Sequence, residues 1–299
     1  MKLDNQSVET LTGVPGMMIR VASGIAAILL TLASARAETP LERGAYLVNT
    51  IGSCGNCHTP RDSAGKPRAD VALSGGFEFD EVAGHVITPN ITPDPETGIG
   101  KWSEAEIVTA LRDGKRPDGS IIGPPMPIPS YKSLSDRDAT AIAIYLRSLK
   151  PVRHAVARTQ FKIALPASYG APVTHVDEPS RDTVAYGEYL AGPVGHCVLC
   201  HTPRGSDRPF DMSRAYQGGR EIPNFEKPGE NTVSRNITAD PEQGIGQWTD
   251  MQIKRAITEG VRPDGTRLVR TMGFDFYKSI APADLDAIVA YLRSLKPTR

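Results

Sequence analysis

Cysteine is scarce in this sequence, four in 299 residues, and every one lies in one of two short segments. No thiol is left over for a structural disulfide, although an exported protein could form them. Excess charge is missing too. Lys plus Arg and Asp plus Glu number 34 each, which excludes the basic field of a nucleic-acid binder and implies no polyanionic partner. No apolar run after Ala37 approaches the length of about 20 residues that a membrane span needs. Strand-like alternation of apolar and polar residues is also lacking, so the expected class is all-α with long loops.

What is present begins with IRVASGIAAILLTLASARA, residues 19–37. One arginine, an apolar run from Val21 to Ala33 and the small-residue pattern Ala35-Arg36-Ala37 read as a signal peptide, residues 1–37, cleaved before Glu38. An uncleaved N-terminal anchor is the alternative, with a run that is short for a span. Without those residues the chain keeps 31 basic and 32 acidic side chains and stays near neutral. Its length suggests about two domains.

The rest is a duplication. GSCGNCHTPR at 52–61 returns as GHCVLCHTPR at 195–204, an offset of 143. NITPDPETGIGKW at 90–102 becomes NITADPEQGIGQW at 236–248, identical at 10 of 13 positions with an offset of 146. YLRSLKP occurs unchanged at 145–151 and 291–297. The second copy therefore carries three extra residues in the loop 205–235. Each copy predicts a helix before its motif, holding Gly44, Tyr46 and Leu47 or Gly187, Tyr189 and Leu190. Each then predicts a loop and a short helix with a capping box, Ser103 with Glu106 and Thr249 with Gln252, ended by Gly114 or Gly260. A last helix follows at 135–149 and at 282–295. Contacts of Tyr46 with Tyr145 and of Tyr189 with Tyr291 are expected between first and last helices. Domain 1 then covers 38–150, a proline-containing connector 151–181, and domain 2 182–299.

Three chemistries use CxxCH. A zinc site needs a fourth ligand in each copy, and paired sites usually bring their cysteines closer in sequence. A thioredoxin-like redox pair needs a βαβ context. Attachment of c-type haem suits the residues one by one: two thiols add to two vinyl groups, and the adjacent histidine is left as the proximal ligand. Cys54, Cys57 and His58, and Cys197, Cys200 and His201, are thus candidates to hold two covalently bound haem c groups.

The distal ligand separates electron transfer from oxygen or peroxide chemistry. Met126 and Met272 are separated by the repeat offset of 146 and lie in equivalent loops before Tyr131 and Tyr277. No histidine outside the motifs is duplicated, although His85 precedes the shared loop closely. The expected axial pairs at iron are His58 with Met126 and His201 with Met272. Trp102 and Trp248 are candidates to point an indole NH at a haem propionate, and Asn90 and Asn236 to fix the covering loop.

Taken together, CxxCHTPR, NIT-x-DPE-x-GIG-x-W, RPDG, the loop methionine and YLRSLKP resemble the c-type cytochrome subunits of bacterial membrane-associated alcohol, aldehyde and gluconate dehydrogenases. The resemblance covers nearly all of 40–150 and 182–299. It implies two tandem class I cytochrome c domains, each a few helices and long loops around a covalent haem. It also implies a periplasmic electron carrier rather than an enzyme, passing single electrons from a dehydrogenase toward a terminal oxidase or another cytochrome. The location it implies is the periplasm, with peripheral or N-terminally anchored attachment to the inner membrane. A dihaem peroxidase is the alternative, and that class needs two unlike haem sites.

Overall fold

Thr39 opens the first helix by accepting from the Glu42 amide, while the Glu42 carboxylate accepts from the Thr39 amide at 2.8 Å. That helix, α1 (Pro40–Asn49), begins a computed structural model that describes residues 37–63, 65–204, 210–227 and 229–296. The expected signal segment lies outside the described residues except for Ala37. Glu38–Arg299 form one unit. Among the described residues no helix is long and apolar enough to cross a membrane.

Two runs of helices repeat the same order. The first is α1, α2 (Cys54–His58), α3 (Glu104–Asp113), α4 (Ile128–Tyr131) and α5 (Asp136–Ser148). The second is α6 (Val184–Tyr189), α7 (Cys197–His201), α8 (Asp250–Glu259), α9 (Phe274–Tyr277) and α10 (Pro282–Ser294). Between α6 and α7 the chain continues as a π-helical turn, Leu190–Val194, around Pro193. Both expected capping boxes form, on α3 and α8. Gly114 and Gly260 end those helices at φ 62° and 65°, the left-handed conformation that glycine adopts without strain.

Glycine also decides how first and last helices meet. A Cβ on Gly44 would lie 1.9 Å from the Ala141 carbonyl oxygen of α5. One on Gly187 would lie 1.9 Å from that of Ala287 in α10. Each pair therefore crosses backbone to backbone. One continuous apolar cluster runs through both helix sets, holding Leu47, Val48, Leu146, Leu190, Ile253 and Leu292.

The all-α expectation needs correction. Helices dominate, but Glu78–Glu81 (β1) and Gly84–Ile87 (β2) form an antiparallel hairpin, joined at its edge by Gln160–Phe161 (β3). In the second half Glu221–Pro223 (β4) pairs antiparallel with Asn231–Val233 (β5). These strands are two to four residues long, too short for alternation to stand out in a sequence.

The connector is a strap on the first half. His154 bonds the Ser74 carbonyl through Nδ1 at 3.0 Å, and Tyr169 Oη donates to the Ile122 carbonyl at 2.9 Å. His175 lies between Asp136 and Asp177, and Glu178 receives Arg137 at 2.7 Å.

The two helix sets also interlock. Tyr46 Oη donates to Asp284 at 2.8 Å and accepts from the Ala281 amide, both at the start of α10. Tyr189 Oη donates to Asp138 at 2.7 Å and accepts from the Ser135 amide at the start of α5. Each tyrosine thus reaches the opposite half. All four expected tyrosines, Tyr46, Tyr145, Tyr189 and Tyr291, lie in or against the shared apolar cluster, with the rings of Tyr189 and Tyr291 paired with Tyr186 and Tyr216. The hydroxyls of Tyr46 and Tyr189 reach a carboxylate at a helix start, a strong partner for a buried hydroxyl. Arg43 completes the Asp138 site, bonding that carboxylate through Nε and Nη2, each at 2.8 Å, with both residues almost fully buried.

Candidate cofactor attachment sites

Each CxxCH segment is one helical turn entered through a left-handed residue, Ser53 at φ 41° and His196 at φ 44°. The turn puts both thiols and the imidazole of a motif on a five-residue element. All four cysteines are free. Burial pushes the thiols of Cys54 and Cys197 up to about 12 and that of Cys57 up to about 11, and raises that of Cys200. They are held as neutral thiols, against the low-pKa thiolates that characterise redox-active cysteines. Arg61 opposes the shift at Cys57, whereas Cys200 of the other half adds to it. The two motifs therefore lie within electrostatic reach of each other.

Each histidine is oriented by a carbonyl. His58 Nδ1 is 2.9 Å from the Pro89 oxygen, and His201 Nδ1 is 2.7 Å from that of Arg235. A carbonyl can only accept, so Nδ1 carries the proton and Nε2 presents its lone pair. Burial lowers both imidazoles below their usual range and keeps them neutral. That is the arrangement of an imidazole that ligates through Nε2. The carbonyls precede Asn90 and Asn236, whose side chains accept from Thr92 and Thr238 amides and hydroxyls, so the shared NIT loop is fixed from within.

Thr59 and Thr202 make the same kind of tie, accepting from the amides of Leu73 and Tyr216 at 3.1 Å. Trp102 and Trp248 pack against the core, and their carbonyls accept from Arg147 and Arg293.

Met126 is half-buried and packs, as Cys54 and Cys197 do, against the apolar cluster. Met272 is half-buried as well and lines a cavity of about 180 Å³ with Asn56, Arg61, Phe274 and Arg270. Met251 and Met212 are 78% and 58% exposed. His85 is exposed and held between Asp80 and Glu78, at 3.0 and 3.1 Å.

Sequence reading did not single out Arg61, which donates to the Asn56 carbonyl and side chain at 2.7 and 2.9 Å and lies over Phe77 and Phe225. Its signal was the TPR that follows both motifs.

The family described as Cytochrome c matches residues 41–150. A "Diheme cytochrome c-type" protein of Cereibacter sphaeroides is 32% identical over 224 residues, covering 71% of each chain. This chain belongs to the cytochrome c family. It is also 32% identical, over 93% of its length, to the cytochrome c subunit of an alcohol dehydrogenase (quinone) from Gluconacetobacter polyoxogenes, of which it spans 62%. A fructose dehydrogenase cytochrome subunit of Gluconobacter japonicus is 31% identical, covering 85% of this chain and 52% of the relative.

A cytochrome c domain implies covalently bound haem c, and the residues fit it. Neutral, half-buried free thiols in pairs can each be alkylated by a vinyl group. A buried imidazole locked with Nε2 free can ligate iron, and loops rich in apolar residues suit a macrocycle.

Proposed function

We propose that this cytochrome is a dihaem electron carrier, with class I domains at 38–150 and 182–299 joined by the connector 151–181. Cys54, Cys57 and His58 hold one haem and Cys197, Cys200 and His201 the other, with Met126 and Met272 closing the irons. The bound haems supply a one-electron couple. Supporting this reading above all is the duplicated histidine geometry: both imidazoles sit beside two free thiols, with Nδ1 committed to a carbonyl.

The protein's own residues have three tasks. The thiols tether, the Pro89 and Arg235 carbonyls keep Nε2 aimed, and burial holds the imidazoles neutral so that protons do not compete for the ligating lone pair. With haem bound, the Met126 and Met272 thioethers would favour ferrous iron and raise the potential, and a His/Met pair would leave no ligand to exchange on reduction, which suits repeated transfer. Similarity to dehydrogenase cytochrome subunits supports a dehydrogenase as donor. A terminal oxidase or another cytochrome is the acceptor, and the place of exchange is the periplasm, at the inner membrane.

The test is a haem count per chain with spectra of the ferric, reduced and carbon monoxide-treated protein. Two haems, a ferric methionine-to-iron band and no response to carbon monoxide are expected. A haem that lacks the band and binds carbon monoxide would overturn the carrier reading in favour of a peroxidase.

A further inference from the structure

Each methionine loop packs on the attachment turn of the opposite half. In the second half, a Cβ on Gly273 would lie 3.2 Å from Ser53 Cβ. Phe276 covers Gly55 so closely that a Cβ there would lie 2.8 Å from its ring. Asn56 Nδ2 donates to the Thr271 carbonyl at 3.1 Å, one residue before Met272. The reciprocal contact also exists: Tyr131 meets His196 edge to face at 6.0 Å, and Ser130 and Val198 line one cavity.

The two contacts are complementary in opposite senses. By the repeat offsets Gly55 corresponds to Val198 and Phe276 to Ser130. One contact sets a large loop residue on a glycine, and the other sets a small loop residue beside a valine. Val198 shows that the CxxCH turn itself accepts a branched side chain, so the turn does not require glycine at position 55. The Phe276 ring does. The polar tie is one-sided too, since Asn56 corresponds to Leu199 and Thr271 to Pro125.

We propose that Gly55 and Asn56, in the first half, are positioning residues for the Met272 loop, so that methionine ligation in the second half depends on the first half's attachment turn. The inference rests on the two-site His/Met reading given above. It makes the chain one redox unit: displacing the first motif loosens the distal ligand of the second haem, while the Met126 loop, which lacks the corresponding polar tie, is held less tightly in return.

The experiment is a steric swap in the full exported chain, read by the ferric methionine-to-iron band and by carbon monoxide uptake. Gly55→Val is expected to halve the band and to admit about one carbon monoxide per reduced chain. Met126→Ala together with Gly55→Val is expected to abolish the band, whereas Gly55→Val added to Met272→Ala changes nothing further. Phe276→Ser, which copies the arrangement at Ser130, is expected to restore the band to Gly55→Val. Asn56→Leu, a milder change at an exchangeable position, is expected to weaken the same half of the band even if Gly55→Val does not fold. A full band in both Gly55→Val and Asn56→Leu, or a loss confined to the Met126 contribution, overturns the inference and leaves the dihaem reading intact. A wild-type protein without the band overturns both.

Discussion

At the scale of single residues, the strongest commitments are the buried carboxylates that receive the crossing tyrosines. Asp138 is 0% exposed and its carboxylate accepts from Arg43 and Tyr189, while its amide donates to the Ser135 hydroxyl at the start of α5; Asp284 is 8% exposed and receives Tyr46. Removing one partner of a buried pair leaves the other charge uncompensated, at a cost of about 3–5 kcal/mol. Asp138→Ala is therefore expected to lower the denaturant-derived stability by about that much. Tyr46→Phe removes one hydrogen bond to a charged group and is expected to cost about 1.5–3 kcal/mol, measured the same way. An Asp138→Ala loss no larger than that of Tyr46→Phe would show that Arg43 relaxes into solvent.

The element scale is governed by how closely helices approach and how the strap is fastened. Gly44→Ala and Gly187→Ala each force α1 from α5, or α6 from α10, since a methyl group cannot share space with a carbonyl 1.9 Å away. Each is expected to cost about 1–3 kcal/mol or more, seen as a lowered thermal midpoint, despite alanine's better helix propensity. The strap should respond to pH through His175, whose imidazole is raised above its usual 6.5 by hydrogen bonds to Asp136 and then Asp177. A raised folded-state value contributes stability that is fully present below 6.5 and is lost as pH climbs through that raised value. The stability difference between wild type and His175→Gln is thus expected to be largest in mild acid and to vanish at alkaline pH, by denaturant midpoints across that range. A difference that grows with pH would contradict the ion-pair geometry.

For the molecule as a whole, the exchange of Tyr46 and Tyr189 and the shared apolar cluster tie the halves into one cooperative body. A buried ion pair also crosses the halves, Arg220 with Glu81 at 2.9 Å. A single calorimetric unfolding transition is expected, with equal van't Hoff and calorimetric enthalpies. Two resolved transitions would mean that the halves unfold separately and that the cross-half contacts contribute little.

The sequence alone determined the duplication, the helices with their capping boxes, and the residue types that can hold haem. These are local features: a capping box spans four residues, Ser103 to Glu106 in α3, and a CxxCH turn carries its chemistry within five. Short strands escaped because two to four residues hold too little periodicity, and the connector's role escaped because its contacts are made by irregularly spaced residues with distant partners. Only the tertiary structure decided which half each tyrosine serves. Tyr46 and Tyr145 share a repeat, yet Tyr46 finds Asp284, 238 residues away. The same holds for Gly55 against Phe276 and Val198 beside Ser130. Those pairs differ between copies in a way the alignment displays, but complementarity across an interface has no sequence spacing to betray it, and the meaning of each difference appears only when the halves are docked.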